Sequence, residues 1–255
     1  MTAFLALNNR GGLKSVGGST LPAVNDWCLT HSGRDLLQVA RTLASRFSAV
    51  NIAARATGNG LLLVREQIFQ AGVLIGTIAF RLDPAQQRAH LSWTVLTPAT
   101  RGTGAFKPML QNLLLAMRDC RIVRITLVAG LSHGGYVWAT YGFLPQTPAE
   151  WTRLAGLLRT KLATVAAQLT PEQAALVGQL LASADPLALR AIAAIAVPVT
   201  APITALTTAA TAATTTSTPM PLGRYLLLGS EWKGQLELSD GPSMLIYLRR
   251  IGLMP

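Results

Sequence analysis

Acid is scarce in this 255-residue chain: 11 Asp and Glu stand against 22 Lys and Arg, for a formal charge of +11. Charge of either sign is sparse as well, at 13% of residues against 50% hydrophobic ones, which excludes disorder as a description of the whole chain and requires a real core. Only Cys28 and Cys120 are present, too few for a disulfide framework. The three histidines, His31, His90 and His133, lack ligand-like spacing, so no metal is expected. A reducing, cytoplasmic interior is the simplest setting. Met1 is followed by neither a basic lead nor an adequate apolar run, so no secretory signal is expected.

The positive charge is unevenly placed. Residues 1–149 hold 14 basic and 5 acidic side chains, whereas 150–255 hold 8 and 6. A field of this sign in the first part favours phosphate-bearing ligands, nucleic acid or an anionic surface. The arginines are scattered, however, with no run of five like charges and only incidental interleaving with aromatics, so nucleic acid is not the expected partner.

Length favours one core plus appendages. Residues 1–30 read as a loop-rich opening with one short strand. Ser32 with Asp35 resembles a capping box, and Leu36, Val39, Ala40, Leu43 and Phe47 recur at helical spacing through about Ser48. Leu61 to Glu66 and Gly72 to Leu82 read as consecutive antiparallel strands, the second ending at the Asp83-Pro84 turn signal. His90 to Val95 alternates, placing Leu91, Trp93 and Val95 on one face of a half-buried strand. Arg101-Gly102-Thr103-Gly104 follows, then a helix from about Ala105 to Arg118 and a strand from Ile122 to Val128, in βαβ-like order. A glycine pair, Gly134-Gly135, precedes Tyr136, and Gly142-Phe143 closes this region.

Downstream, Thr147-Pro148 and Thr170-Pro171 each place Thr at an N-cap with Glu150 or Gln173 at N3, and Asp185-Pro186 supplies a third start, so 148–197 reads as three helices. From Ala191 to Gly223 there are 33 residues without a charge, rich in Ala and Thr and broken by Pro198, Pro202, Pro219 and Pro221. Residues 191–213 are long enough for a bilayer span, but Ala is near neutral for insertion and Thr and Pro oppose it, so a linker is the preferred reading. Tyr225 to Leu228, Gln235 to Leu238 and Met244 to Leu248 read as strands, with Asp240-Gly241 as a turn.

The stretch from Val95 to Lys107 carries the chemistry. Glycines between a strand and a helix let a pyrophosphate approach unpartnered N–H groups at the positive end of the helix dipole, and Arg101 and Lys107 add charge. The spacing departs from a nucleotide P-loop, which ends in Gly-Lys-Ser/Thr, and from a dinucleotide fingerprint, which needs a third glycine.

With this element order, residues 33–145 resemble the GNAT superfamily of acyl-CoA-dependent N-acyltransferases. Arg101 to Ala105 matches that family's pyrophosphate loop, Pro98 the proline commonly found before it, and Trp138 to Phe143 the segment usually ending in Gly-Phe. The resemblance implies an α+β fold, a mixed, mostly antiparallel twisted sheet flanked by helices, splayed so that acyl-CoA wedges between strands 90–95 and 122–128. It implies a GNAT-like domain over 1–147, and the residue patterns beyond it give a helical appendix (148–197), an Ala/Thr/Pro-rich linker (198–223) and a strand-like tail (224–255). It implies acetyl-CoA as acyl donor, held by Val95, Arg101, Gly102, Thr103, Gly104, Ala105 and Lys107, with Ser132 contacting the CoA moiety.

Two positions depart from the family pattern. Phe106 is bulky where Gly or Ala is commoner, and Trp138 stands where a Tyr commonly protonates the departing thiolate. Loss of general-acid help costs 10²–10⁴-fold in typical cases, less here because a thiolate with a pKa near 8.5 leaves tolerably well. Tyr141 and Tyr136 are replacements. Candidate bases are Glu66, Asp83, His90 and His133, with His90 on the strand that flanks the cofactor.

Two functions follow. One is an acetyl-CoA-dependent N-acyltransferase acting by direct attack of a primary amine, on a small molecule or a protein. The other keeps the fold without catalysis, as a structural or assembly protein such as a phage virion component, engaging partners or a second copy through residues 148–255.

Overall fold

The computed structural model describes residues 3–8, 13–17, 21–203 and 216–255. Contacts divide the chain into two compact units, Met1–Leu127 with Leu236–Pro255, and Val128–Gln235.

The first unit contains β1 (Ala3–Asn8), β2 (Leu13–Gly17), α1 (Leu21–Ser32), α2 (Leu36–Ala44), β3 (Ala49–Ala56), β4 (Leu62–Gln70), β5 (Val73–Asp83), β6 (Arg88–Leu96), α3 (Phe106–Asp119) and β7 (Arg124–Ala129). Its strands run in the order β2-β1-β3-β4-β5-β6-β7. Every neighbouring pair is antiparallel except β6 with β7, which is parallel and is bridged by α3. The result is a mixed, mostly antiparallel sheet flanked by helices.

Period-two patterning assigns the faces. Val50, Ile52 and Ala54 of β3, Leu62, Val64 and Ile68 of β4, and Ile78, Phe80 and Leu82 of β5 are buried on one side. Helices α1 and α2 pack on β3, and α2 packs on α3. They contribute Val24, Trp27, Leu36, Val39, Leu43, Leu110, Leu113 and Met117 to this core. On the opposite side Arg55, Arg65 and Arg81 are exposed.

The N-terminal part is more regular than its composition implies. Two strands and α1 occupy the segment read as loop-rich; Leu21-Pro22 puts proline in a first helical turn, followed by buried Val24, Trp27 and Cys28. The capping box belongs to Asp35 with Gln38, not to Ser32 with Asp35. Ser32 instead ends α1, its hydroxyl donating to the Cys28 carbonyl at 2.7 Å.

The second unit contains α4 (Leu131–Thr140), β8 (Leu144–Pro145), α5 (Pro148–Val165), α6 (Pro171–Ala182), α7 (Ala188–Ala193), β9 (Pro198–Ile203), β10 (Thr216–Pro221), α8 (Leu222–Leu227) and most of β11 (Trp232–Glu237). Thr147 and Thr170 cap α5 and α6 as their Thr-Pro signatures require. Trp151, Leu154, Leu158, Leu189, Leu226 and Trp232 fill the core. Lys161 runs inward and donates to the carbonyls of Tyr225, Leu226 and Leu228, satisfying orphan acceptors at the end of α8.

Two expectations are corrected here. The stretch 198–223 is not wholly a linker: β9 and β10 pair antiparallel, Pro198 with Pro221 through Ile203 with Thr216. Prolines at the ends of these strands and β-branched Val199, Thr200, Ile203 and Thr216 suit a two-stranded ribbon. The tail is not all strand. Only β11 is; Tyr225 to Leu227 belongs to α8, and Met244 to Leu248 lies in α9 (Gly241–Ile251), where Asp240 is an N-cap accepting from Ser243 N–H. The glycine pair Gly134 and Gly135 lies inside α4. Among the described residues no helix is long and apolar enough to cross a membrane.

Gly135 shows why. A Cβ there meets the Leu227 carbonyl and, at 2.6 Å, the Ser230 carbonyl, so α4 approaches the end of α8 at backbone distance. Gly156, inside α5, faces open space. Thermal unfolding therefore separates them: Gly135→Ala lowers Tm, whereas Gly156→Ala raises stability by about 1 kcal/mol through helix propensity alone.

Candidate functional site

A single extra residue reshapes β6. Phe80 pairs with Leu91 and Ala79 with Trp93, leaving Ser92 bulged between them. A bulge bends its strand and increases the local twist. It also reverses the alternation: Leu91 is buried, whereas Trp93 and Val95 are 39% and 37% exposed on the opposite face. The shared face expected for Leu91, Trp93 and Val95 is thereby corrected.

The other edge of β6 changes at the same place. Pairing with β7 runs from Arg88 with Arg124 to Leu91 with Leu127 and stops there. Strand β6 continues to Leu96, still paired to β5 through Gly76, but has no partner on its β7 side among the described residues. Between Ser92 and Leu96 the backbone groups that face away from β5 thus lack a strand partner among the described residues, although the Leu96 carbonyl is taken by Arg101 Nε.

That free edge leads into the glycine loop. Thr100 anchors the loop by donating to the Ile75 carbonyl at 2.7 Å, and Thr97 N–H donates to the same carbonyl at 3.1 Å. Arg101 Nε donates to the Leu96 carbonyl at 3.3 Å, and Thr103 Oγ1 donates to the Thr100 carbonyl at 2.8 Å. Gly102 and Gly104 adopt φ of +78° and +85°, which a side chain tolerates poorly, and each faces open space. Their N–H groups have no acceptor among the described residues. Helix α3 begins directly after, with no side-chain cap and no acid in its first turn. Arg101 and Lys107 are exposed beside it. Loop and helix start thus bring two glycine N–H groups without acceptors among the described residues next to the positive end of the α3 dipole.

Strand β6 also positions a histidine. His90 sits two residues before the bulge, half-buried, with Nδ1 at 3.0 Å from Thr126 Oγ1. The Thr126 hydroxyl has one proton, and it goes to the Ala89 carbonyl at 3.1 Å. Nδ1 must therefore be the donor to Thr126, which leaves the lone pair on Nε2. Burial, then Arg81 and Arg88, push the His90 pKa down, so the ring is neutral near pH 7 and able to take a proton.

Other expected residues fare differently. Asp83 is engaged by Arg88 at 3.7 Å. His133 and Ser132 lie in the first turn of α4, a helix and not a loop. Tyr141 ends α4 and is buried, packed edge-on against Trp138 at 6.2 Å; Trp138 also packs against Phe143 at 5.1 Å, so it is a core aromatic. Ser132, His133, Trp138 and Tyr141 belong to the second unit, whereas His90, Val95 and Arg101 to Lys107 share the first.

Glu66 is the most unusual titratable group. It projects from β4 onto the helix-covered face between Ile52 and Ile78, 4% exposed, with Oε1 unpartnered. The same cross-strand row continues through Ile78 to Thr94, whose hydroxyl is also buried and unpartnered. Burial pushes the Glu66 pKa up to about 8. The β-rich run Leu61 to Glu66 marks the strand, but only the register of β3 to β6 reveals the row.

No family model matches this chain, and no curated protein matches it. Among solved structures, one similar chain is the ribosomal L7/L12 alpha-N-protein acetyltransferase RimL in an apo crystal form, 17% identical, covering 58% of this chain and 81% of that one at a TM-score of 0.29. Another belongs to the NatC complex bound to Gag peptide and CoA, 15% identical, covering 57% and 86%, again at 0.29. Likenesses this distant carry no argument, and the reading below rests on the geometry already described.

Glu66 makes a testable electrostatic statement. A carboxyl whose folded pKa is raised stabilises the fold below its ordinary value near 4.5 and loses that contribution as pH climbs towards about 8. Glu66→Gln does not titrate. Its Tm therefore gains on that of the native chain between pH 5 and 8; parallel melting curves across this range contradict the assignment.

Proposed function

We propose that the chain binds acyl-CoA along the free edge of β6 and transfers the acyl group to a primary amine. The observation that carries this reading is the coincidence of two vacant donor sets on one continuous segment. The unpaired edge of Ser92 to Leu96 suits the amide groups of a pantetheine arm, which pair with a strand edge as another strand does. The free N–H groups of Gly102 and Gly104, at the start of α3, suit a diphosphate.

Chemistry then follows from position. The acceptor nitrogen attacks the thioester carbonyl carbon, a tetrahedral intermediate forms, and the C–S bond breaks to release CoA thiolate. His90 Nε2 takes the proton from the attacking amine. Trp138 supplies no acid, and Tyr141 is the candidate to protonate the thiolate, with acetyl-CoA the simplest donor. Ser132 and His133 keep the CoA-contacting and alternative-base roles that the family resemblance implies.

Titration calorimetry with acetyl-CoA tests the cradle. The native chain releases or absorbs heat on binding, and Gly104→Glu, which puts a carboxylate where a phosphate belongs, abolishes it; absence of binding by the native chain rejects the reading. Across a panel of primary amines, kcat/KM falls on the acidic side with an apparent pKa below the ordinary 6.5 of histidine, because the His90 pKa is lowered. In His90→Gln that limb disappears and kcat drops by about 10²-fold or more.

A further inference from the structure

The face of the sheet opposite α1, α2 and α3 carries a cluster of arginines. Arg55 and Arg81 flank Leu63 from the neighbouring strands, and Arg65 lies two residues further along β4. At ordinary strand spacing and rise their Cα atoms lie about 8–10 Å apart. All three are exposed. None has a carboxylate partner among the described residues, whereas Arg88 and Arg124 on the same face are neutralised by Asp83 and Glu237. Three uncompensated guanidinium groups therefore share one small area.

An aromatic ring adjoins them. Trp93 lies in the row of Arg65, with Ala79 between, and the Arg65 guanidinium stands 5.3 Å from its ring centre. Trp93 remains 39% exposed because the Ser92 bulge turned it outward. Small Ala53 and Ala79 flank Arg65 in the same row, so the face is flat between the charges and the ring. Positive groups that track a backbone, beside an exposed ring on which a base stacks, are the components of single-strand recognition. An acidic peptide matches the charge but gives Trp93 nothing to do.

We propose that this sheet face binds single-stranded nucleic acid, with Arg55, Arg65 and Arg81 on phosphates and Trp93 against a base. Scattered positions in the sequence hid this cluster; antiparallel pairing of β3, β4 and β5 assembles it. The proposed site adjoins the acyl-CoA reading at β6, where Trp93 follows the bulge and Arg81 pairs with His90, but it uses side chains of the open face and not the backbone edge or the glycine loop, so either can hold without the other.

Fluorescence anisotropy with labelled twelve-nucleotide oligo(U) and oligo(dT), titrated with the full chain from 50 to 300 mM salt, tests it. The native chain binds at least one of them at 50 mM salt, and their ratio tells RNA from DNA. Replacing Arg55, Arg65 and Arg81 together by Gln weakens binding at least tenfold and makes the slope of log K against log salt shallower by about 2, at roughly 0.7 per lost phosphate contact. Trp93→Leu weakens binding with the slope unchanged. Replacing Arg41, Arg46 and Arg118 by Gln removes the same charge from exposed positions on the helix side and leaves binding intact. The proposal is overturned by no binding at 50 mM salt, by equal loss in the two triple variants, or by poly-glutamate competing as well as unlabelled oligonucleotide. Melting curves of the variants confirm that each is folded.

Discussion

The account depends on where β6 lets go of β7. A parallel pair buried on both sides ordinarily runs its full length, because each unmade ladder bond leaves a donor and an acceptor without partners. Here the ladder ends at Leu91 and Leu127, and the bulge at Ser92 sits at that point on the opposite edge of the same strand. Strand β5 cannot follow both halves of β6 in one register, so β6 turns, and its far half keeps β5 while its β7 edge stays open. The first unit's share of the proposed chemistry is placed around this bend: His90 just before it, Val95 turned outward after it, and the glycine loop at the end of β6.

The two faces of the same sheet are chemically opposed. On the helix-covered face, Glu66 and Thr94 are buried polar groups with unpartnered oxygens in an aliphatic row. Such groups cost stability and are tolerated where something other than stability is gained. On the open face, uncompensated arginines surround Leu63, and burial, helped by Arg81 of this cluster and by Arg88, lowers the basicity of His90. One strand, β6, joins both environments, with Thr94 facing one and His90 and Trp93 facing the other.

Much of the first unit is legible in the sequence. β-rich runs mark β4 and β5, alternation marks β6 up to the bulge, and the Arg-Gly-x-Gly run between a strand and a helix marks the glycine loop, because glycine at positive φ leaves a local trace in sequence. Thr-Pro pairs marked α5 and α6 for a similar reason: a cap is a contact between residues three apart. What escaped notice is non-local. The bulge at Ser92 exists only relative to β5, and the arginine cluster only relative to the registers of three strands. Gly135 reads as a loop breaker until the end of α8 is seen against it, and Asp240-Gly241 reads as a turn until Ser243 is seen donating to Asp240. Residues 225–227 and 244–248 are short apolar runs, for which length cannot separate strand from helix.

Hydrogen exchange at residue resolution tests the central claim most directly. Addition of acetyl-CoA to the full chain should slow exchange at the amides of Gly102 and Gly104 and along residues 92–96, while β3 to β5 and helices α5 and α6 stay unchanged. If those amides exchange at the same rate with and without acetyl-CoA at saturating concentration, or if protection falls only elsewhere, the free edge of β6 and the glycine loop do not hold the cofactor.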